Sequence, residues 1–315
     1  MRAGAILGLG CSAKDLKPFQ TVGDVEWRVG MPVLGDADVI LLFGGDGTIH
    51  RHLGQLVKLG LPVLVVPAGS GNDFASSLGM RRVRDSLDAW RSFCGGSANV
   101  RAIDLGIISA QVSPGEAPSI EGPRYFCCVA GVGLDAEVAR RANQLPRWLR
   151  RNGGYLLSMA PTIFTFAPFP LKILASEDRA PDAWMVRSHQ PTLMAAVANA
   201  PFYGGGMKVA PQAKMDDGLL DVCRVGALRP LRLLRLFPTV YRGRHLKVRE
   251  VEYFQSARLR VESELPMDVY ADGEYVCRTP IEVSVERCAL KVIVPASSVL
   301  ANRSWFDCAQ GSRES

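Results

Sequence analysis

Three glycines and one aspartate directly follow an apolar segment near the start of the chain. Residues 39–43 are apolar throughout, and Gly44, Gly45, Asp46, Gly47 and Thr48 come next. A continuous apolar run predicts a strand buried on both faces of a parallel sheet. The glycines let the backbone turn tightly and approach a ligand, and Thr48 is predicted to cap a helix whose first amides point at the turn. Such a loop favours an anionic ligand.

The same layout occurs a second time, at the next apolar segment. Residues 61–66 predict another buried strand. The loop that follows this strand contains Gly69, Ser70, Gly71, Asn72 and Asp73. Because neighbouring parallel strands end at the same edge of their sheet, the two loops are predicted to form one phosphate-sized crevice.

Asp46 places a negative charge inside the first loop. A carboxylate there would repel a phosphate unless a divalent cation lay between the two groups. The chain contains no G-x-x-x-x-G-K-[ST] segment, so a Walker lysine does not neutralise the phosphates. We therefore infer Mg²⁺ and a polyphosphate. The alternative is a pair of ordinary strand-to-helix turns that use Gly and Asp for structural reasons.

The two loops resemble those of a known family. Gly-Gly-Asp-Gly-Thr at 44–48 and Pro-Ala-Gly-Ser-Gly-Asn-Asp-Phe-Ala at 67–75 are similar to the catalytic domain of the diacylglycerol kinase, sphingosine kinase and bacterial lipid kinase superfamily. NAD kinases share the first motif, whereas the second is most similar to the bacterial diacylglycerol kinase branch. The resemblance implies that ATP binds through its phosphates at Gly44, Gly45, Gly47, Thr48, Gly69, Ser70, Gly71, Asn72 and Asp73.

A third glycine-bearing segment covers residues 198–222. Residues 204–206 are consecutive glycines, and Asp217-Gly218 predicts a tight turn into a strand. From spacing alone, a simple hairpin connection accounts for these residues as well as a functional loop does. The segment also resembles the family's glycine-rich segment and Asp-Gly metal loop. This resemblance implies that Asp217 binds Mg²⁺ through its carboxylate, with the backbone carbonyls of Lys214 and Leu219 as further hard oxygen ligands.

A fourth motif lies at Asp272, Gly273 and Glu274. Asp-Gly between strand-forming residues predicts a two-residue hairpin turn, and the segment resembles the family's Asp-Gly-Glu motif. A hydroxyl that attacks phosphorus must lose its proton, and a positioned carboxylate contributes about 10²–10⁴-fold to such a reaction. We assign Glu274 as general base, Asp272 as a residue that helps to hold the metal network, and Asp46 as the third catalytic residue.

The elements that position these motifs divide into two predicted domains. Residues 1–97 are predicted to form an α/β nucleotide-binding domain of the NAD kinase/diacylglycerol kinase type, with a parallel sheet, flanking helices and a helix at 81–93. Residues 98–296 are predicted to form a mostly antiparallel β-sandwich for substrate and metal, and the tail 297–315 is expected to return to the first domain. Period-two strands are predicted at 100–108, 125–130, 193–199, 219–225, 257–262, 268–271, 281–286 and 290–294.

The composition indicates a globular protein of a reducing compartment. The chain has 315 residues, of which 48% are hydrophobic, and this is enough for two cores. Its eight cysteines show neither C-x-x-C pairs nor zinc spacing, so buried thiols are expected. The N-terminus is too short for a signal peptide and no apolar run is long enough to span a bilayer. We expect a cytoplasmic protein.

Cations lie beside apolar residues in two segments. Arg140, Arg141, Arg147, Arg150 and Arg151 precede an apolar run at 155–169, and Arg229, Arg232 and Arg235 alternate with leucines. Such segments are typical of interfacial contact with anionic lipid, where each cation contributes on the order of 1 kcal/mol. The equally weighted alternative is solvated helix faces whose arginines cover core leucines. Nucleic acid is not expected, because aromatic residues do not interleave with the cations.

The four motifs, in the family's order from Val39 to Glu274, imply an ATP-dependent lipid kinase. The nucleotide is expected across a crevice between the two domains, with diacylglycerol as the leading acceptor and phosphatidic acid as product. The expected partners are a lipid substrate at the inner face of the membrane, anionic phospholipids and a second copy in a homodimer. Two alternatives stay open: an NAD kinase-like enzyme, and a nucleotide- or lipid-binding module with impaired catalysis.

Overall fold

A computed structural model describes residues 1–111, 122–146, 154–177 and 180–296. The chain forms two compact units. The N-terminal unit consists of Met1–Leu105 together with the chain from Arg287, and the central unit consists of Gly106–Glu286. The predicted return of residues 297–315 to the first domain concerns residues outside the described part of the chain.

The N-terminal unit is built on a parallel sheet. Its strands lie in the order β2, β1, β3, β4, followed by the end of β15. The elements of this unit are β1 (Arg2–Leu7), α1 (Ala13–Gln20), β2 (Glu26–Val29), β3 (Val39–Gly44), α2 (Asp46–Leu59), β4 (Val63–Pro67), α3 (Asp73–Ser77), α4 (Val83–Cys94) and the start of β5 (Val100–Ala110), with the end of β15 (Ile281–Ile293). The predicted α/β fold with parallel strands is confirmed.

The two central strands of this sheet end side by side. Every residue of β3 and β4 is buried, as their unbroken apolar sequences predict. In the parallel register Leu42 pairs with Val65 and Gly44 pairs with Pro67. The loops that follow the strands therefore start at the same level of the sheet.

Aromatic side chains form much of the core beside this sheet. The rings of Phe19 and Phe43 meet edge to face at 5.2 Å between centroids, and the Trp90 indole donates to the Phe19 carbonyl at 3.1 Å. All three side chains are fully buried. This core joins α1 and α4 to β3 and holds the carboxyl end of that strand in place.

The central unit is an antiparallel β-sandwich with helices. Strand β9 pairs with β7, β8 and β10, the hairpin β13–β14 joins β7, and β12 joins β8. Its further strands are β6 (Arg124–Phe126), β7 (Val129–Gly133), β8 (Phe169–Glu177), β9 (Ala180–Ala198), β10 (Leu220–Gly226), β11 (Val251–Ser256), β12 (Arg258–Ser263), β13 (Asp268–Ala271) and β14 (Glu274–Arg278). The predicted β-sandwich class is confirmed.

In the described part of the central unit, three helices and a short 3₁₀ helix accompany the strands. They are α5 (Leu134–Gln144), α6 (Gly154–Thr165), α7 (Pro230–Val240) and the 3₁₀ helix Arg244–Lys247. The apolar side chains of α5, α6 and α7 form a cluster of their own, separate from the core between the strands. None of the helices in the described ranges combines the length and the apolarity that a membrane crossing requires.

Several sequence-based expectations need correction. Thr48 does not cap α2, because Gly45 is the N-cap and Thr48 lies inside the first turn. The two strands predicted at 281–286 and 290–294 are a single strand, β15, whose backbone adopts a positive φ at Cys288. Strand β8 is missing from the predicted strands, since the apolar run predicted at 155–169 ends at its first residue, Phe169.

The cysteines also differ in part from the expectation. Six are thiols, and four of these, Cys127, Cys128, Cys223 and Cys277, are buried. Cys288 is disulfide-bonded, so the expectation of eight thiols is wrong; disulfide formation depends on proximity in the fold, which spacing in the sequence does not reveal. Cys308 lies outside the described residues.

Candidate active site

The two glycine loops of the N-terminal unit touch through their backbones. A Cβ atom built on Gly69 would lie 2.5 Å from the Gly45 Cα, and one built on Gly45 would lie 2.8 Å from the Gly69 Cα. Neither position has room for a side chain. The structure therefore brings both loops together at the edge of the sheet where β3 and β4 end.

Asn72 holds the second loop in shape. Its side-chain Nδ2 donates to the Gly69 carbonyl and its Oδ1 accepts from the Gly69 amide, both at 2.8 Å. Asn72 itself adopts a left-handed conformation at φ 56°, which Asn tolerates better than most residues. Gly69 and Ser70 are consequently presented at the surface while Asp73 and Phe74 turn into the core.

Asp46 contacts α3. Its two carboxylate oxygens accept hydrogen bonds from the backbone amides of Asp73 at 3.1 Å and Phe74 at 3.0 Å. A carboxylate at the positive end of a helix is stabilised by its amides. The aspartate that was expected to need a metal ion beside a phosphate thus has a structural role as well: it fastens the second loop to the first.

Thr48 packs beneath the first loop. A Cβ on Gly44 would meet the Thr48 Cβ at 2.7 Å, and one on Gly8 would meet the Thr48 Oγ1 at 2.8 Å. Gly45 provides no side-chain cap for α2. In the first turn of this 14-residue helix the Thr48 amide donates to the Gly45 carbonyl at 2.9 Å. The positive end of the helix is suited to an anion.

The predicted metal loop lies in the central unit, before β10. Asp217 Oδ1 accepts from the Leu219 amide at 3.1 Å, and Gly218 has a positive φ of 72°. The side chain thereby closes an Asx turn. Lys214 is exposed, whereas Asp217 and Leu219 are half-buried. The three residues assigned to the metal are close in the chain and lie on one loop.

Asp221 is a second carboxylate near this loop. It is fully buried, and its Oδ1 accepts from the Tyr253 hydroxyl at 2.6 Å and from Gln255 Nε2 at 3.2 Å. Its Oδ2 has no hydrogen-bond partner among the described residues. Burial raises the pKa of Asp221, and the negative charge of Asp217 adds to this effect, while the two hydrogen bonds oppose it.

Sequence analysis did not single out Asp221. Its position in an alternating strand segment resembles that of an ordinary exposed residue, and Tyr253 and Gln255 lie far away in the sequence. The one available signal was that a charged residue interrupts the apolar residues Leu219, Leu220 and Val222. A charge at such a position predicts a buried and hydrogen-bonded group.

The Asp272-Gly273 turn is fixed from two sides. The φ angles of 51° at Asp272 and 85° at Gly273 are those of the predicted two-residue hairpin turn. The Asp272 carboxylate accepts from the backbone amides of Cys127 at 2.9 Å, Cys128 at 2.8 Å and Val129 at 3.2 Å. From α5, the Asn143 side chain donates to the Gly273 carbonyl at 2.8 Å.

Glu274 follows this turn at the first position of β14. It pairs with Ala271 across the hairpin, and its side chain is exposed. The carboxylate therefore extends from a backbone that the turn holds rigidly. Asp272 and Glu274 lie together on one hairpin of the central unit, and the loop residues Asp46, Asn72 and Asp73 lie together in the N-terminal unit.

An apolar cavity of about 80 Å³ lies within the central unit. Its walls come from α5, α6, α7, the 3₁₀ helix and the sheet, and include Val138, Met159, Phe237 and His245. A polar nitrogen, the Nδ1 of His245, is buried there without a hydrogen-bond partner in the described part of the chain, while its Nε2 lies 3.0 Å from the Val209 carbonyl.

Two family models match this chain. The diacylglycerol kinase catalytic domain matches residues 23–108, and the YegS C-terminal NAD kinase beta sandwich-like domain matches residues 128–294. The second match alone covers more than half of the chain.

Proteins with similar sequences and structures carry related names. The diacylglycerol kinase of Mycobacterium tuberculosis (strain ATCC 25618 / H37Rv) is 30% identical over 280 residues, which are 86% of this chain and 82% of that protein. The diacylglycerol kinase of Bacillus subtilis (strain 168) is 26% identical over 80% of this chain and 76% of its own length. A crystal structure of a diacylglycerol kinase from Bacillus anthracis str. Sterne has the same fold, with a TM-score of 0.63 at 17% identity over 97% of this chain and 98% of that chain. The chain therefore belongs to the family of diacylglycerol kinases and YegS-like lipid kinases.

Proposed function

We propose that the protein transfers the γ-phosphoryl group of ATP to the hydroxyl of a membrane lipid, with diacylglycerol as the leading acceptor and phosphatidic acid as the product. The observation that carries the proposal is the backbone contact between Gly45 and Gly69, which places the family's two loops side by side. Loops that close without side chains leave room for a triphosphate to approach backbone amides.

In this proposal the N-terminal unit binds the nucleotide. The first turn of α2 and the loop residues Ser70 and Gly71 donate backbone amides to the phosphates. Gly69, whose own amide donates to Asn72 Oδ1, allows the close approach. Asp46 and Asn72 keep the two loops in register through the contacts described above. The geometry of the loops is fixed before the nucleotide binds, so little ordering cost accompanies binding.

The loop before β10 fits a hard divalent cation. Asp217 supplies a carboxylate, the carbonyls of Lys214 and Leu219 supply neutral oxygens, and the charges of Asp217 and Asp221 repel each other. A cation there would relieve this repulsion. When bound, Mg²⁺ neutralises negative charge that develops during phosphoryl transfer. Asp221 is included among the residues that we propose to support this loop.

Glu274 is proposed as the general base. Its exposed carboxylate can accept the proton of the lipid hydroxyl as the oxygen bonds to phosphorus. The turn at Asp272, with three amide hydrogen bonds, holds the backbone of Glu274 in one position. Asp272 thus acts through Glu274 as a positioning residue in this scheme.

The apolar features of the central unit support a lipid acceptor. The cavity behind α6 and α7 offers an apolar environment for an alkyl chain. On the outside of these helices, Leu157 and Phe164 of α6 are 56% and 57% exposed, and Leu231 of α7 is 65% exposed. Exposed apolar side chains at such density are typical of a contact with another apolar phase.

Exposed cations surround the apolar residues of α7. They are Arg229, Arg235, Arg242, Arg244, Lys247 and Arg249. Helix α7 itself has no fully buried residue, as expected for a helix that lies in a membrane interface. We therefore propose that this side of the central unit associates peripherally with anionic lipids at the inner face of the membrane.

The first predicted cation cluster contributes less to such a contact. Arg140 and Arg141 share the single carboxylate of Glu137, at 2.7 and 2.6 Å, which compensates one of their two positive charges. Arg147, Arg150 and Arg151 lie outside the described residues. The cations near α7 are consequently the part of the prediction that supports membrane association.

The proposal is tested with radiolabelled ATP, Mg²⁺ and a panel of acceptors: diacylglycerol, a sphingoid base, phosphatidylglycerol and NAD. A labelled lipid is expected, and diacylglycerol is expected to give the highest rate. Labelled NADP would instead identify an NAD kinase-like enzyme. ATP binding without transfer to any acceptor would identify a binding module.

The base is tested by Glu274→Gln in the same assay. The transfer rate should fall by about 10²-fold or more, because the amide cannot accept the proton. Glu264→Gln, which changes another exposed glutamate of this unit, is the matched control and should leave the rate unchanged. Undiminished turnover of Glu274→Gln would remove Glu274 from the mechanism.

A further inference from the structure

Two adjacent cysteines lie against the turn of the β13–β14 hairpin. The Sγ atoms of Cys127 and Cys128 are 4.0 Å apart, and the Cys127 Sγ is 3.4 Å from Asp272 Oδ2. One ligand atom from each of the three residues lies within 4.8 Å of the other two. Both thiols are buried, whereas Asp272 is half-buried. Two sulfurs and one carboxylate oxygen thus converge on a single point.

Two of the three separations are close to those around a tetrahedral metal ion, and the third, between Cys128 Sγ and Asp272, is at most 4.8 Å. Two thiolates at about 2.3 Å from one Zn²⁺ lie about 3.8 Å apart at the tetrahedral angle, and a thiolate and a carboxylate oxygen lie about 3.6 Å apart. The observed 4.0 Å and 3.4 Å need shifts of only a few tenths of an ångström. The 3.4 Å contact is a hydrogen bond from the Cys127 thiol to the carboxylate, and a bound ion would take the place of its proton.

We propose that Cys127, Cys128 and Asp272 form a binding site for a thiophilic divalent cation of the Zn²⁺ class. The ion binds two sulfurs and one oxygen and keeps its fourth position for water or another small ligand. Binding forms two metal–sulfur bonds and releases the two thiol protons to solvent. The Asp272 Oδ2 atom accepts from the Cys127 amide and from the Cys127 thiol, and the ion takes the place of the thiol proton in the second contact.

This site differs chemically from the Mg²⁺ loop at Asp217. Magnesium binds oxygen ligands and retains its waters, so two sulfurs exclude it as the occupant. The other buried thiols of the central unit, Cys223 and Cys277, lie outside this group. Among the described residues, only the Cys127–Cys128 pair joins a carboxylate in such a group.

Occupancy of the site would act on the hairpin that carries Glu274. The Asp272 carboxylate holds the turn by accepting hydrogen bonds from the amides of Cys127, Cys128 and Val129. An ion bound to this carboxylate would weaken these hydrogen bonds. We expect Zn²⁺ to reduce phosphoryl transfer by the wild-type protein. This expectation rests on the proposed function, whereas the binding site itself does not.

The site is tested with the full-length protein, kept reduced and in the absence of nucleotide. Zn²⁺ is titrated in competition with a chromophoric chelator, and Cd²⁺ is added separately to observe sulfur-to-metal charge-transfer absorption. We expect one equivalent of bound ion and a charge-transfer band. Cys127→Ser and Cys128→Ser should each weaken binding more than about tenfold, since loss of an outer-shell partner alone costs that much.

Cys223→Ser is the matched control, because it removes a buried thiol of the same unit that lies outside the group. It should bind Zn²⁺ like the wild type. The absence of saturable binding or of the Cd²⁺ band in the wild type would overturn the proposal even if the variants fail to fold. Equal binding by wild type, Cys127→Ser and Cys128→Ser would also overturn it. Lipid phosphorylation without metal binding would refute this site and leave the proposed function intact.

Discussion

Gly69 approaches Gly45 so closely that one added methyl group must displace backbone. We predict that Gly69→Ala costs about 1–3 kcal/mol of overpacking, most of it concentrated in the two loops. ATP affinity should fall at least about tenfold, which corresponds to about 1.4 kcal/mol. Isothermal titration with a non-hydrolysable ATP analogue measures the change.

Gly60→Ala is the control for a general loss of stability. Gly60 ends α2 in the left-handed conformation with φ 61°, and a Cβ there meets nothing within 4 Å. The substitution should cost about 1 kcal/mol of backbone strain and leave ATP affinity unchanged. Unchanged affinity in Gly69→Ala would contradict the proposed nucleotide site.

His245 is predicted to make the stability depend on pH. Burial lowers the pKa of its imidazole below the ordinary value, although the contact with the Val209 carbonyl opposes this effect. The unfolded chain therefore binds more protons than the folded chain once the pH drops below about 6.5. The contribution to the free energy of unfolding is complete above that pH and is lost as the pH falls through the lowered pKa.

Urea unfolding at a series of pH values measures this dependence. His245→Gln should unfold with a smaller loss of stability between about pH 7 and about pH 5 than the wild type. His189→Gln replaces an exposed histidine of β9 and should retain the wild-type dependence. The same pH dependence in His245→Gln and in the wild type would show that other groups cause it.

At the scale of elements, the helices α6 and α7 each have one side that packs against the protein and one side that is exposed. Their inner side chains line the cavity, while Leu157, Phe164 and Leu231 are exposed. We predict that Leu231→Gln weakens binding to vesicles that contain anionic lipid several-fold, because about 0.8 kcal/mol is lost for each CH₂ that no longer enters the apolar phase.

Sedimentation with lipid vesicles measures this binding. Leu265→Gln is the matched control, because Leu265 is 76% exposed and lies in the connection before β13, away from the two helices. Binding should also decrease with salt and with neutral lipid, since the cations near α7 contribute through a screened attraction. Equal binding by both leucine variants would contradict the proposed surface.

Periodicity predicted many of these elements because the physical signal was local. The unbroken apolar runs identified β3 and β4, and Asp-Gly between strand formers identified the β13–β14 turn. The capping box of Ser12 and Asp15 was present before α1 but was not used. Strand β8 was missed because its alternation of apolar and polar residues is interrupted at a register shift between Ile173 and Leu174.

The candidate site was harder to predict wherever distant segments meet. The sequence shows Asp46 next to glycines, yet only the fold brings its carboxylate to the amides of Asp73 and Phe74. In the same way, Asp221 receives its hydrogen bonds from β11 and Asp272 receives its own from the residues before β7. Such contacts depend on strand order, which no local pattern in the chain determines.

At the scale of the whole molecule, the proposed reaction depends on a divalent cation. We predict that chelation of divalent ions abolishes phosphoryl transfer and that Mg²⁺ restores it. Asp217→Asn should raise the Mg²⁺ concentration needed for half-maximal rate at least about tenfold, because a neutral amide binds this ion more weakly than a carboxylate. The rate at varied Mg²⁺ gives the measurement.

Asp88→Asn serves as the control for a general effect of lost negative charge, because Asp88 is an exposed residue of α4 that pairs with Arg91. Its Mg²⁺ requirement should equal that of the wild type. If Asp217→Asn needs the same Mg²⁺ concentration for half-maximal rate as the wild type, Asp217 does not bind the cation.

The contact between Gly45 and Gly69 has a consequence for how the protein can change over time. An insertion or a larger residue in either loop would displace the other loop. A change in one loop therefore requires a compensating change in the other. Paired substitutions at these positions should therefore show damage that is far from additive. The two short segments, which a helix and a strand separate in the chain, are thus expected to tolerate change only together.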